Sequence, residues 1–229
     1  MGLNPAGITK QEQSAYQLRG FGLFFFYRTT GLSLTTQKEF YYLKRIHMLI
    51  DERNERKQRV LEAARMMATA ARTAPKAKGI DIIEIVIATD EHIQQIAQQL
   101  HVLHEESGMK FLLRDAENIQ QGDALLLIGT RSQPQGLNCR YCGFPTCESR
   151  TAGAPCAINS TDLGIAIGSA CSTAMDLRID TRVMFSAGWA AQRLNIPADC
   201  TQVYAIALSC SSKNPFFDRK PKENPTESK

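Results

Sequence analysis

Four cysteines crowd into eighteen residues of this 229-residue chain, and no other feature constrains its fold as tightly. They read Cys139-x2-Cys142-x4-Cys147-x8-Cys156, within the segment NCRYCGFPTCESRTAGAPC. Thiols this close together, with no secretory signal in view, point to metal ligation rather than disulfides and to a cytoplasmic setting. Thiolates are soft donors, and a set of four selects an iron–sulfur cluster or zinc. Structural zinc ribbons usually join two well-separated C-x2-C knuckles. Here the second pair is split by eight residues, which suits a compact loop wrapped around a 4Fe–4S cubane; zinc is the alternative. Pro145 and Pro155 stiffen such a loop, while Gly143 and Gly153 permit its turns. The other thiols, Cys171, Cys200 and Cys210, lie in apolar surroundings and are expected to be packing residues.

Composition excludes several classes. The 22% charged residues are those of an ordinary globular protein, and a net charge of +4 is weak. No basic stripe interleaved with aromatics suggests nucleic acid, and no apolar run approaches the roughly 18 residues of a membrane span. Motifs of serine hydrolases, P-loop proteins and dinucleotide-binding folds are absent. His92, His101 and His104 share one predicted helix without a carboxylate motif and read as surface residues.

The first 46 residues differ from the rest. Nine of the seventeen aromatic residues lie within the first 42, so residues 1–46 are expected to be an N-terminal extension outside the fold, with a docking arm as the alternative. Residues 47–220 read as a single domain containing the loop 139–156, and 221–229 as a disordered tail. Within the domain, Val60, Leu61, Ala64, Met67, Ala68 and Ala71 recur at helical spacing over 51–73, ended by Pro75 and Gly79. IDIIEIVIA (80–88) is a buried strand. A helix from Asp90 carries Ile93, Ile96, Ala97, Leu100 and Leu103. FLLR (111–114) and ALLLIG (124–129) read as strands. A helix from Thr161 or Asp162 is apolar nearly all round and rich in Gly and Ala, another spans 181–195, and QVYAIALS (202–209) is the last strand. The order predicts an α/β (α+β) domain, with a mixed sheet flanked by helices.

The turn ARTAPKAKG is a second candidate site. Arg72, Lys76 and Lys78 crowd near a helix end, where they either hold a phosphate or another anion or form a solvated turn. In KNPFFDR, Phe216 and Phe217 are expected to anchor the segment, with Lys213, Asp218 and Arg219 capping the fold or pairing.

CRYCGFPTC resembles the four-cysteine iron–sulfur domain of membrane-associated electron-transport complexes and corrinoid iron–sulfur proteins, although those place the fourth cysteine further away. Over residues 48–220, AARTAPKAKGID, NCRYCGFPTC, DLGIAIGSA, TAMDLRID and KNPFFDR together resemble a prokaryotic family of ferredoxin-domain-containing proteins of unknown function. That likeness implies an iron–sulfur cluster, a ferredoxin-like electron-transfer role and a redox protein partner. The helix, "AP" loop and strand order in AARTAPKAKGIDIIEIVIATD resembles the nitroreductase-like fold. This second likeness implies FMN, with Arg72, Lys76 and Lys78 as candidates for its phosphate, and a homodimer packed through the Gly- and Ala-rich helix. The turn lacks the asparagine that usually faces the flavin. A structural reading stands beside the redox one, in which zinc or an inert cluster ties the loop onto an interaction module.

Overall fold

The computed structural model describes residues 49–217. The aromatic-rich segment 1–46, the tail 221–229, Asp218 and Arg219 lie outside these residues. Helix α1 (Glu52–Thr73) is followed by a short 3-10 turn (Ala77–Gly79) and strand β1 (Ile83–Ala88). Helices α2 (Asp90–Ser107) and α3 (Phe111–Gln120) lead to β2 (Ala124–Arg131). The cysteine loop then runs into α4 (Ala157–Asp176), β3 (Asp180–Met184), α5 (Phe185–Arg193) and β4 (Cys200–Ser209).

The four strands form one sheet in the order β1-β2-β4-β3, and each neighbouring pair is antiparallel. This corrects the expectation of a mixed sheet. Two helices, α2 and α3, separate β1 from β2, so the chain crosses the fold twice and β2 returns against β1. FLLR is likewise not a strand but the first turn of α3, whose buried Leu112, Asp115, Ala116 and Ile119 follow helical spacing. Four residues were too few to display that period. The predicted helix over 181–195 divides into β3 and α5. Met184 turns towards the core while Val183 stays exposed, the alternation of a strand, and no breaker separates it from the helix.

Both faces of the sheet are covered. On one, α2, α3 and α5 bury Leu125, Leu127, Val203, Ala205 and Ala207. On the other, α1 and α4 bury Ala124, Leu126, Ile128, Ile206 and Leu208. Double burial accounts for the unbroken apolar run in β2, and it holds although the sheet is antiparallel. Helix α1 offers Val60, Ala63, Ala64, Met67 and Ala71 on one stripe. Its end is closed by the Lys76 ammonium, which donates to the carbonyls of Ala71 (2.9 Å), Ala74 (2.8 Å) and Arg72. Helix α5 lies so close to β4 that a Cβ at Gly188 would stand 2.2 Å from the Val203 carbonyl oxygen.

Phe216 is buried against Gly122 and anchors the end of the described chain. Arg182 donates to its carbonyl (2.9 Å) and lies over the Phe217 ring, 5.4 Å from the centroid. The same guanidinium reaches Asp115 (3.5 Å), a buried carboxylate that also accepts from Ser186 Oγ (2.6 Å) and Arg114 (3.0 Å). The apolar anchoring expected of the KNPFFDR segment is therefore carried by Phe216.

Candidate metal centre

The cysteine loop leaves β2 at the end of the sheet where β4 begins, since Arg131 pairs with Cys200. Cys139, Cys142 and Cys147 are half-buried along it, and Cys156 is buried where it enters α4. None of the seven cysteines is in a disulfide. Among the described residues no three His, Cys, Asp or Glu side chains are gathered into a group that could hold a single metal ion. The loop thus brings its four thiols into one segment without collecting their sulfurs around one point. Each thiolate of a cubane binds a different iron, so a cluster does not require them to meet as a tetrahedral zinc does. The donor set, four thiols and no competing disulfide, fits either group chemically.

Local turns shape the loop. Gly143 has φ +86°, a conformation that a side chain resists, and its N–H donates to the Arg140 carbonyl at 2.9 Å to close the turn that carries Cys142 and directly follows Cys139. Asn138 and Arg140 are also left-handed, with φ +50° and +63°. Thr146 and Ser149 bond each other through side chains and backbone at 3.0–3.1 Å, beside Cys147. Asn138 and Cys147 form a reciprocal pair: the Asn138 N–H donates to Cys147 Sγ (3.3 Å), and the Cys147 N–H donates to Asn138 Oδ1 (2.7 Å).

Both ends of the loop are fixed by buried polar side chains. Asn159, in the first turn of α4, donates from Nδ2 to the Gln133 carbonyl at 2.9 Å and accepts the Gln135 Nε2 donor at 3.1 Å. Asn159 and Gln135 are 2% and 4% exposed. Asp162, one turn further along, accepts the Ala77 N–H at 3.0 Å. Lys78 donates to the Gln135 carbonyl at 3.1 Å. Arg150 donates to the Ala154 carbonyl and lies 3.4 Å from Ser132 Oγ. The ARTAPKAKG turn, the root of the loop and the start of α4 are therefore tied into one polar assembly.

Arg72, Lys76 and Lys78 each engage different protein oxygens. Arg72 Nη1 lies 2.6 Å from Asp81 Oδ2 and 2.6 Å from the Ile83 carbonyl. Lys76 closes α1 as described, and burial pushes its ammonium below the usual lysine range. Lys78 serves the loop root. The turn joins α1 to the loop root, and Arg72 and Lys78 remain exposed to solvent. Asn138, Gln135 and Asn159 were not singled out from the sequence, and Asp162 only as a possible start of the helix that in fact begins at Ala157. The signal for Asn138 was its place beside Cys139 together with the tolerance of Asn for left-handed backbone. Asn159 and Asp162 stand three apart at a helix start, so they share a face.

The remaining thiols lie elsewhere. Cys200 is buried against Gly129, and burial, with Glu84 and Asp199 nearby, pushes its pKa up to about 11. Cys171 sits half-buried on α4, and its thiol is also pushed up by burial. Such thiols remain protonated at neutral pH.

The family model described as "Uncharacterized protein containing a ferredoxin domain" matches residues 152–219, from just before Cys156 to the end of the Phe216 anchor. An uncharacterized protein of Archaeoglobus fulgidus is 40% identical over 186 residues, which cover 77% of this chain and the whole of that protein. The chain belongs to this ferredoxin-domain family. Among solved structures, the nitroreductase CinD of Lactococcus lactis in complex with nicotinic acid matches 72% of this chain and 81% of its own, at 12% identity and a TM-score of 0.49. An FMN complex of a nitroreductase from Desulfovibrio desulfuricans matches 70% and 80%, at 14% identity and a TM-score of 0.46. No helix among the described residues is long and apolar enough to cross a membrane.

Proposed function

We propose that this chain is an iron–sulfur protein in which Cys139, Cys142, Cys147 and Cys156 bind a 4Fe–4S cluster, and that its role is electron transfer to or from a protein partner. The observation that carries the reading is a loop with four unpaired thiols in eighteen residues, rooted at both ends by buried polar contacts. The ferredoxin domain in the family's description supports it. Bound there, the cluster supplies one-electron redox chemistry. The chain's own part is to hold the ligands. Asn159 and Gln135 fix the root, Asn138 holds Cys147, and Cys156 stands at the positive end of the α4 dipole, which favours an anionic group. FMN is not part of the proposal, because Arg72, Lys76 and Lys78 already serve Asp81, the α1 carbonyls and Gln135.

A homodimer belongs to the same proposal. One face of α4 is buried, but Gly164, Ile165, Gly168, Ser172 and Met175 are exposed on the other. Among the described residues, a Cβ at Gly164 or Gly168 would meet nothing within 4 Å, so a partner helix has room to come close. A second copy presenting the same face is the commonest closed solution.

Protein purified anaerobically is expected to be brown, to contain about four irons per chain and to give an EPR signal on reduction with dithionite. Stoichiometric zinc without iron would overturn the redox reading and leave the loop as a structural clasp.

A further inference from the structure

Resting on the cluster reading above, we infer that Asn138 is a positioning residue that holds the Cys147 sulfur and tunes how readily the bound cluster accepts an electron. Asn138 and Cys147 stand nine positions apart and are joined at two points. The backbone N–H of Asn138 donates to Cys147 Sγ at 3.3 Å, and the side-chain Oδ1 of Asn138 accepts the Cys147 N–H at 2.7 Å. The second bond holds the geometry of the first. Among the described residues, Cys147 is the ligand candidate whose sulfur receives a backbone N–H.

The residue type follows from the geometry. Asn138 has φ +50°, and Asn is one of the few side-chain-bearing residues that enter this region readily. Its amide is short enough to reach back to a backbone N–H in the local bonding that Asn makes in turns. Glycine would take the same turn without supplying the acceptor.

The consequence is electrostatic. Adding one electron to a thiolate-ligated cluster increases the negative charge shared by its sulfurs. A donor aimed at one of those sulfurs stabilises the more negative state and raises the potential. Loosening the clasp lets the N–H drift from the sulfur and makes reduction harder.

The test uses the full-length protein purified anaerobically, as wild type, Asn138→Gly and Asn138→Asp. Dithionite supplies one electron per cluster through mediator dyes at set potentials, and EPR reads the reduced fraction. Asn138→Gly keeps the turn and the backbone N–H but loses Oδ1. At the wild-type midpoint its reduced-to-oxidised ratio is expected to fall by about three- to tenfold, tenfold being 59 mV for a one-electron couple. It should also lose iron several times faster to a chelator. Asn138→Asp retains an acceptor and should hold iron like the wild type. A ratio and an iron-loss rate unchanged in Asn138→Gly would overturn the inference. If Asn138→Gly does not load, iron in Asn138→Asp supports the clasp, and failure of both variants overturns it. Wild-type protein without iron would instead overturn the cluster reading, so the two failures are distinguishable.

Discussion

Replacing Asn159 by alanine should loosen the cysteine loop while leaving the sheet intact. The Asn159 side chain makes two good hydrogen bonds, to the Gln133 carbonyl at 2.9 Å and from Gln135 Nε2 at 3.1 Å. Gln135 is 4% exposed, and its Oε1 already lacks a partner among the described residues. Truncation therefore strands the whole Gln135 amide in the interior. An ordinary hydrogen bond contributes about 0.5–1.5 kcal/mol net, and a buried polar group left unpaired costs about 1–3 kcal/mol. The expected loss is about 2–4 kcal/mol, read as a lower urea midpoint by circular dichroism. Metal should also leave the variant faster under a chelator, because the two ends of the loop are no longer held together. Asn159→Asp should be at least as damaging. It keeps the acceptor for Gln135 but turns the donor that faces the Gln133 carbonyl into a carboxylate oxygen. An Asn159→Ala protein within about 0.5 kcal/mol of wild type, with unchanged metal release, would refute the idea that this amide roots the loop.

Gly188→Ala places a Cβ 2.2 Å from the Val203 carbonyl oxygen and 2.5 Å from Tyr204 Cα, both backbone atoms. Its cost should reach or exceed the roughly 1–3 kcal/mol of ordinary overpacking, seen as a lower urea midpoint. Asp81 gives a pH test. Burial opposes its charge, but the hydrogen bonds from Arg72 and from the Ile83 N–H outweigh that effect and hold its carboxyl below the ordinary range. The resulting stabilisation is present above about pH 4 and is lost as pH falls through the lower folded value. Asp81→Asn should therefore be less stable than wild type at pH 7, with the difference closing in acid urea titrations; a constant difference would contradict this. For assembly, light scattering is expected to give twice the 25.5 kDa chain mass. Gly168→Leu should reduce it to one chain without unfolding, since nothing among the described residues lies within 4 Å of that Cβ. A wild-type mass of one chain would exclude the dimer.

The doubly buried strands were legible because their apolar runs have no polar face to confuse them, as in β2 and β4. Helices α1 and α2 were legible from stripes such as Ile93, Ile96, Leu100 and Leu103. Strand direction was not, because it depends on the path the chain takes between two strands, and α3, which stands between β1 and β2, was hidden behind four residues that suit either state. Strand β3 was missed because it runs straight into α5 at Met184 and Phe185. Local chemistry announced the loop itself, since four thiols and two glycines stand together in the chain. Its supports did not announce themselves. Gln135 and Asn159 are far apart in sequence, and an Asn at a helix start resembles any other polar residue there until the fold buries it against a partner.

On this reading four particular thiols hold the metal and three do not. Iron, zinc and acid-labile sulfide should be measured in anaerobically purified protein carrying each single Cys→Ala change. Changes at Cys139, Cys142, Cys147 and Cys156 are each expected to reduce iron and sulfide together, while changes at Cys171, Cys200 and Cys210 leave both near the wild-type content. Full iron in the Cys156→Ala protein, or its loss with Cys171→Ala, would contradict the assignment.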